Sequence, residues 1–287
     1  MSYRTISLCL LLAVFSCDYI DDPIQASIGP VDPCELPKMQ FKGDSSFRKV
    51  LIEDFTGHRC NNCPKASDAI KAIEQNQAGA IVAVAMHAGP ANFIDPDPPT
   101  YPTDFRTPEG DDLEEFFKVT FLPAGMVSRT DFNAQASHLK IFTGWASEVA
   151  TLASEAAPCA IDLELAYDSQ SRQICGQART RFFSDRSDPL NISLWLTESK
   201  IIAPQKMPDN SANPSYEHNH VFRTSLNSAF GQSLQTGNTV AGDVYTTDFS
   251  MTLDTAYVRT NCHLVAFVTN TATEEVLQVT EVDLSAL

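Results

Sequence analysis

Asp54-Phe55-Thr56-Gly57-His58-Arg59-Cys60-Asn61-Asn62-Cys63-Pro64 is the stretch whose reading decides the fold. Immediately before it, Val50-Leu51-Ile52-Glu53 reads as a buried strand. After it, Ala66, Ile70 and Ile73 recur at helical spacing. Two cysteines in a C-x-x-C between a strand and a helix N-terminus are placed for dithiol–disulfide chemistry. The free amides and positive end of the helix dipole stabilise a thiolate on Cys60, and Arg59 adds a nearby positive charge. Cys63, one helical turn on, is positioned to resolve a mixed disulfide. A permanent structural disulfide, half of a metal site and a chance spacing are the alternatives, the last disfavoured by the strand–CxxC–helix context. Zinc usually takes a second Cys or His pair at matching spacing, and the sequence shows none.

This segment resembles the active site of the thioredoxin superfamily. Asp54, six residues before Cys60, stands where that superfamily carries a buried Asp, and the resemblance implies that it relays a proton to or from Cys63. The tryptophan that usually precedes the first Cys is replaced by Arg59. The intervening dipeptide is Asn61-Asn62, so no redox potential carries over. Downstream, Ala80 to His87 reads as a second buried strand and completes a βαβ unit. Residues 90–108, full of Pro and Asp, read as a loop over the CxxC edge, too polar to pack. Glu109 to Lys118 reads as a helix opened by Pro108. Pro123 sits at the point where thioredoxin-like proteins have a cis-proline facing the CxxC, where it shapes the substrate groove. A helix over 136–154 puts Leu139, Phe142, Trp145, Val149 and Leu152 on one face.

The N-terminal residues point to export. One positive charge, Arg4, precedes the apolar run Ile6 to Phe15, which has the length of a signal-peptide core and is short for a bilayer span. Val14-Phe15-Ser16-Cys17 resembles a bacterial lipobox. It predicts a signal peptide over 1–16, which takes Cys9 with it, and an acylated Cys17 that carries a membrane anchor. Residues 17–47, acidic and then Pro-rich, read as a tether. The formal net charge of −16 argues against nucleic acid as a partner. About 270 mature residues suggest two domains, the first over 48–157.

From Pro158 the texture changes from helical periods to alternation. Ile161-x-Leu163-x-Leu165-x-Tyr167, Ala178-x-Thr180-x-Phe182 and Leu190-x-Ile192-x-Leu194-x-Leu196 keep a period of two. Further strands fit Val240–Phe249, His263–Thr269 and Val276–Asp283. The expectation is an α/β thioredoxin-like domain followed, over 158–287, by an all-β immunoglobulin-like sandwich with its own core.

Ile52-Glu53-Asp54-Phe55-Thr56-Gly57 with Cys60-x-x-Cys63-Pro64, then Tyr216-Glu217-His218-Asn219-His220-Val221-x-Arg223, then Val265-Ala266-Phe267-Val268 with Glu275-Val276-Leu277-Gln278, together resemble the 28-kDa outer-membrane protein family of Bacteroidetes lipoproteins. The resemblance implies an outer-membrane lipoprotein, on the cell surface or the periplasmic face, with these two domains. It supplies no reaction.

His218 and His220, two apart, share a face if they lie on a strand and are weak metal candidates without a third ligand. No motif implies a cofactor. Of the remaining cysteines, a hairpin turning at 168–171 puts Cys175 opposite about position 164, away from Cys159. A Cys159–Cys262 disulfide is expected instead, with Cys34 and Cys175 unassigned.

Two functions follow. One is a lipid-tethered thiol–disulfide oxidoreductase acting on exported proteins or a membrane redox partner, with Cys60, Cys63, Asp54, Pro123 and Arg59 as its site. The other is a surface binding or adhesion protein whose CxxC is a structural disulfide. Burial separates them: a catalytic pair needs the Cys60 sulfur exposed, and a staple can be covered.

Overall fold

Val50–Phe55 forms β1, with all six residues buried. Both faces are covered, so Val50, Leu51 and Ile52 run on without polar alternation, and the carboxyl side chains of Glu53 and Asp54 are buried with them. The computed structural model describes residues 41, 47–132, 134, 137–235 and 237–287. The expected signal peptide, Cys17, Cys34 and nearly all of the tether lie outside them.

Helix α1 (Cys63–Asn76) carries Pro64 in its first turn, where a missing N–H costs nothing, and buries Cys63, Ala66, Ile70 and Ile73. Strand β2 (Ile81–Met86) pairs with β1 in parallel. Then come α2 (Ala91–Ile94) and α3 (Pro108–Phe117), whose N-cap Thr107 accepts a hydrogen bond from the Gly110 amide. Strand β3 (Ala124–Val127) returns antiparallel to β1. Helix α4 (Phe142–Ala153) begins later than the periodicity predicts. Lys140 is drawn into a backbone bridge with Gly125, and Leu139 packs into a different cluster from Trp145, Val149 and Leu152.

The second half is strand-rich: β4 (Cys159–Asp168), β5 (Gln173–Phe182), β6 (Leu190–Glu198), β7 (Ile201–Lys206), β8 (Ala212–His218), β9 (Val221–Ser225), β10 (Gln232–Ser233), β11 (Val244–Thr252), β12 (Cys262–Asn270) and β13 (Val276–Asp283). Strands β11-β5-β4 form a three-stranded antiparallel sheet that packs on β6 and β12 through Ile161, Ala178, Phe182, Ile192, Leu194 and Ala266. The larger sheet runs β13-β12-β6-β9-β2-β1-β3, with β10 on β6. It passes from one half of the chain to the other where Val221 pairs with Ala85 and the Ala85 amide donates to the His220 carbonyl at 2.8 Å.

The chain is therefore β-rich, with mixed sheets, and its two halves share a core. Leu51, Phe55, Val84 and Met126 lie in one apolar cluster with Trp195, Phe222, Phe267 and Val279. Separate cores on either side of residue 157 were the expectation. Alternation reports that one face of a strand is buried but not which part of the chain buries it.

The expected Cys159–Cys262 disulfide does not form; both are buried free thiols. Cys159 lies opposite Phe182 at the start of β4, whereas Cys262 packs with Ile174, at the far end of the same hairpin. Eight residues of strand separate those ends, on the order of 25 Å, beyond the reach of a disulfide. Burial pushes both thiols up to about 12. Cys175 pairs in register with Ala166 and is itself disulfide-bonded.

Candidate functional site

The Thr56 amide donates to Met86 at 2.8 Å, keeping the chain beside β2, and the backbone then turns sharply. Gly57 is needed at that turn, because a Cβ there would strike the Phe93 carbonyl. The Cys60 amide donates to Gly57 (3.0 Å) and the Cys63 amide to Cys60 (3.3 Å). Cys60 and Cys63 form a disulfide with Cα atoms 5.4 Å apart. Cys63 is the first residue of α1 and Asn62 its N-cap, so Cys60 lies two residues ahead of the cap. Arg59 is engaged by the 95–97 loop: it donates to the Asp95 carbonyl at 3.1 Å and pairs with Asp97 at 3.5 Å.

Both cysteines are buried, each 1% exposed. The cover comes from the β7–β8 hairpin of the second half. The Gln205 side-chain amide donates to the carbonyls of Cys60 (3.0 Å) and Gly57 (3.3 Å), and the Lys206 amide donates to His58 at 2.8 Å. At the hairpin tip, Asn61 donates to Asn210 at 3.2 Å.

Asp54 is fully buried, and neither carboxylate oxygen has a hydrogen-bond partner. Burial raises its pKa to about 8, so it is largely protonated at neutral pH. Alternation along β1 points it to the side of Val50 and Ile52, which pack beneath α1. It lines a cleft of about 600 Å³ with Ser67, Tyr216, Glu74 and His220. Pro123, after a cis Leu122–Pro123 bond, precedes β3. Because Phe55 pairs with Ala124, Pro123 lies at the same end of β1 as the disulfide.

His218 and His220 do not share a face. His218 ends β8 and is buried, while His220, in a left-handed turn at φ 57°, faces the cleft and contacts Glu74 at 3.2 Å. Among the described residues, no group of three or more His, Cys, Asp and Glu side chains is arranged to hold a metal ion. His218 instead joins His87 and His58. Ring centroids are 5.6 Å apart for His87–His218 and 6.1 Å for His58–His87, and Phe105 packs against all three. Burial is the first cause holding these imidazoles neutral: His58 and His218 are lowered to about 4, and His87 well below its ordinary value. The loop over 90–108 expected to be too polar to pack supplies three buried side chains, Ile94, Tyr101 and Phe105.

His58, His87 and Gln205 join the site without having been singled out from the sequence. His58 was visible two residues before Cys60, and His87 as a polar end to an apolar run. Gln205 carried no signal, because Pro204 interrupts the only pattern that marks β7 as a strand.

The family profile described as outer membrane protein Omp28 matches residues 110–286. No curated protein matches the chain by sequence. Among solved structures, HBP35 of Porphyromonas gingivalis superposes with a TM-score of 0.62 at 16% identity, covering 84% of this chain and 76% of that one. That likeness concerns the fold alone. A domain of the outer membrane lipoprotein Omp28 from the same organism matches with a TM-score of 0.30 at 19% identity, covering 44% of this chain and 88% of that one.

Proposed function

From the premise that this chain belongs to the Omp28 family of outer membrane proteins, we propose that it is a lipid-anchored thiol–disulfide exchange protein of the cell envelope. In this reading the first half is thioredoxin-like, Cys17 carries the anchor, and exported polypeptides are the substrates. One observation carries it: Asp54 is a fully buried carboxyl without a partner, on the side of β1 that faces the helix beginning at Cys63. Such a group is costly to bury. A structural disulfide has no use for it, whereas a dithiol needs a proton donor and acceptor on the resolving side.

Starting from the disulfide, a substrate thiolate attacks the Cys60 sulfur and forms a mixed disulfide. The Cys60–Cys63 bond breaks, and its electron pair leaves on the Cys63 sulfur, which takes the proton from Asp54. A second substrate thiolate then attacks the substrate sulfur of the mixed disulfide and releases Cys60 as a thiolate. The substrate has lost two electrons and the cysteine pair has gained them. In this reading Pro123, at the same end of β1 as the disulfide, shapes the substrate groove.

A second reading is favoured by the 1% exposure of both cysteines, the criterion by which a covered pair is a structural staple on a surface binding or adhesion protein. Mixed-disulfide trapping separates the two. Cys63→Ser is expected to accumulate adducts with exported proteins through Cys60, and Cys60→Ser few. No adducts with either variant, together with lost stability in both, would establish the staple.

A further inference from the structure

Hairpin β7–β8 belongs to neither of the larger sheets; among the described residues its strands pair only with each other, with a register slip between Ala203 and Gln205 around Pro204. Alternation turns Ala203 and Gln205 underneath and leaves Ile202 outside, 60% exposed. A two-stranded hairpin is marginally stable by itself, so its underside decides whether it stays down. That underside offers few attachments. Ala203 and Ile201 pack with Phe105 and Val221, Tyr216 shares a hydrogen bond with Ser67 of α1, His218 sits at the rear against His87 and Phe105, and the grip nearest the disulfide is hydrogen bonding to the loop that leads into it. The acceptors are the main-chain carbonyls of Gly57, His58 and Cys60; the donors are the Gln205 amide and the Lys206 N–H. An extended strand edge is thus laid on the turn that carries the attacked sulfur.

Resting on the exchange reading, we infer that β7 occupies the substrate's own seat. An extended, cysteine-bearing segment of unfolded polypeptide displaces the hairpin and supplies its backbone N–H groups to the carbonyls that Gln205 and Lys206 release. This accounts for a covered disulfide in a protein with exchange machinery: the lid opens to a strand, not to any thiol. A small thiol cannot replace the lost donors, and each unmatched acceptor costs it about fivefold in affinity. The motif 216–223 fits this division. Its first part ends β8, His220 adopts its left-handed turn, and Val221 enters the large sheet beside Ala85, fixing the rear of the hairpin, while the tip is joined to the CxxC loop through Asn210 and Asn61.

The test uses the full chain with its disulfides formed. Reduction of the Cys60–Cys63 bond is followed by alkylation and peptide mapping, with two reductants: a reduced, unfolded peptide bearing two cysteines, and dithiothreitol. The wild type is expected to react with the peptide at least tenfold faster than with dithiothreitol. Gln205→Ala is expected to speed both reactions about fivefold or more. Asn210→Gly, on the exposed tip, keeps the backbone conformation and is expected to speed both about twofold if the Gln205 variant does not fold. Equal rates for the two reductants would overturn the strand seat and leave the exchange reading standing. No acceleration in a folded lid variant would overturn the lid. Reduction no faster than global unfolding in the same buffer would overturn the exchange reading itself.

Discussion

Where β1 meets the strands of the second half, Arg129 closes a two-pronged ion pair with Glu53 at 2.8 and 2.9 Å, with side chains 1% and 0% exposed. The rings of Phe117, Trp195 and Phe267 surround the guanidinium. Where β7 meets the CxxC loop, the contact is one side-chain amide, one backbone N–H and a polar pair at the tip. Both places join the same two halves of the chain, but they open at different cost. Parting the first strips the rings of Trp195 and Phe267 from a buried ion pair and leaves both of its charges facing water or an unfilled gap. Parting the second exchanges uncharged hydrogen bonds for water, worth about 1 kcal/mol net apiece. Joining the halves and covering the disulfide are thus separate physical tasks in this molecule.

The largest test of that contrast is Glu53→Ala, which leaves Arg129 unpaired among aromatic rings. It is expected to cost about 3–5 kcal/mol in a urea titration. Gln205→Ala, an uncharged loss, is expected to cost about 1–2 kcal/mol. Equal losses would erase the distinction between the two seams. By the same argument residues 158–287 alone should lack a cooperative thermal transition, because Trp195, Phe222 and Phe267 would lose their partners from β1, β2 and β3.

What the sequence made legible divides along the same line. Local chemistry was readable: Val50 to Glu53 as a buried strand, which the structure extends to Phe55, the helix after the CxxC, Pro108 opening α3, and the strand pattern of β4, β5, β6, β12 and β13. Each of these is set by spacing within about ten residues. The long-range pairings were not readable, because nothing local in Val221 says that it will lie beside Ala85, and nothing in Gln205 says that it will cover Cys60. The Cys159–Cys262 expectation failed for the same reason. Two strand starts were identified, but which ends of the sandwich they occupy depends on packing between layers.

The next effect concerns pH, and the two sides of the site have opposite signs. Asp54 has a folded pKa raised from 3.8 to about 8, so its burial favours the fold fully below pH 3.8, and that advantage is lost as pH rises through 8. Asp54→Asn should flatten this limb, removing a decline on the order of 3 kcal/mol between pH 4 and 7. The buried histidines act the other way. His58 and His218 are lowered from 6.5 to about 4, so their contribution is complete above 6.5 and falls as pH drops toward 4, where the unfolded chain takes up protons that the folded one refuses. His218→Phe should flatten the acid limb, read as a smaller stability difference between pH 6.5 and 4.5. Because His218 ends the hairpin, the variant should also retain a closed disulfide to lower pH, measured by alkylation after brief reduction.

The smallest expected effect belongs to Arg59, the residue to which the sequence assigned electrostatic help for the Cys60 thiolate. Its guanidinium is turned to the Asp95 carbonyl and Asp97, on the 95–97 loop, and its side chain is 26% exposed. The nearby carboxylate offsets its field at the sulfur, and salt screens what remains. The exposed pair also contributes little to stability, typically under 1 kcal/mol. Arg59→Ala should therefore move the unfolding midpoint by about 2 °C or less and change the rate of Cys60–Cys63 reduction less than twofold. Asn210→Gly, which removes a single uncharged contact at the hairpin tip, should change that rate more. If Arg59→Ala proved the more disruptive of the two, access to the disulfide would be governed by charge at the 95–97 wall, and the hairpin would be a passive cover.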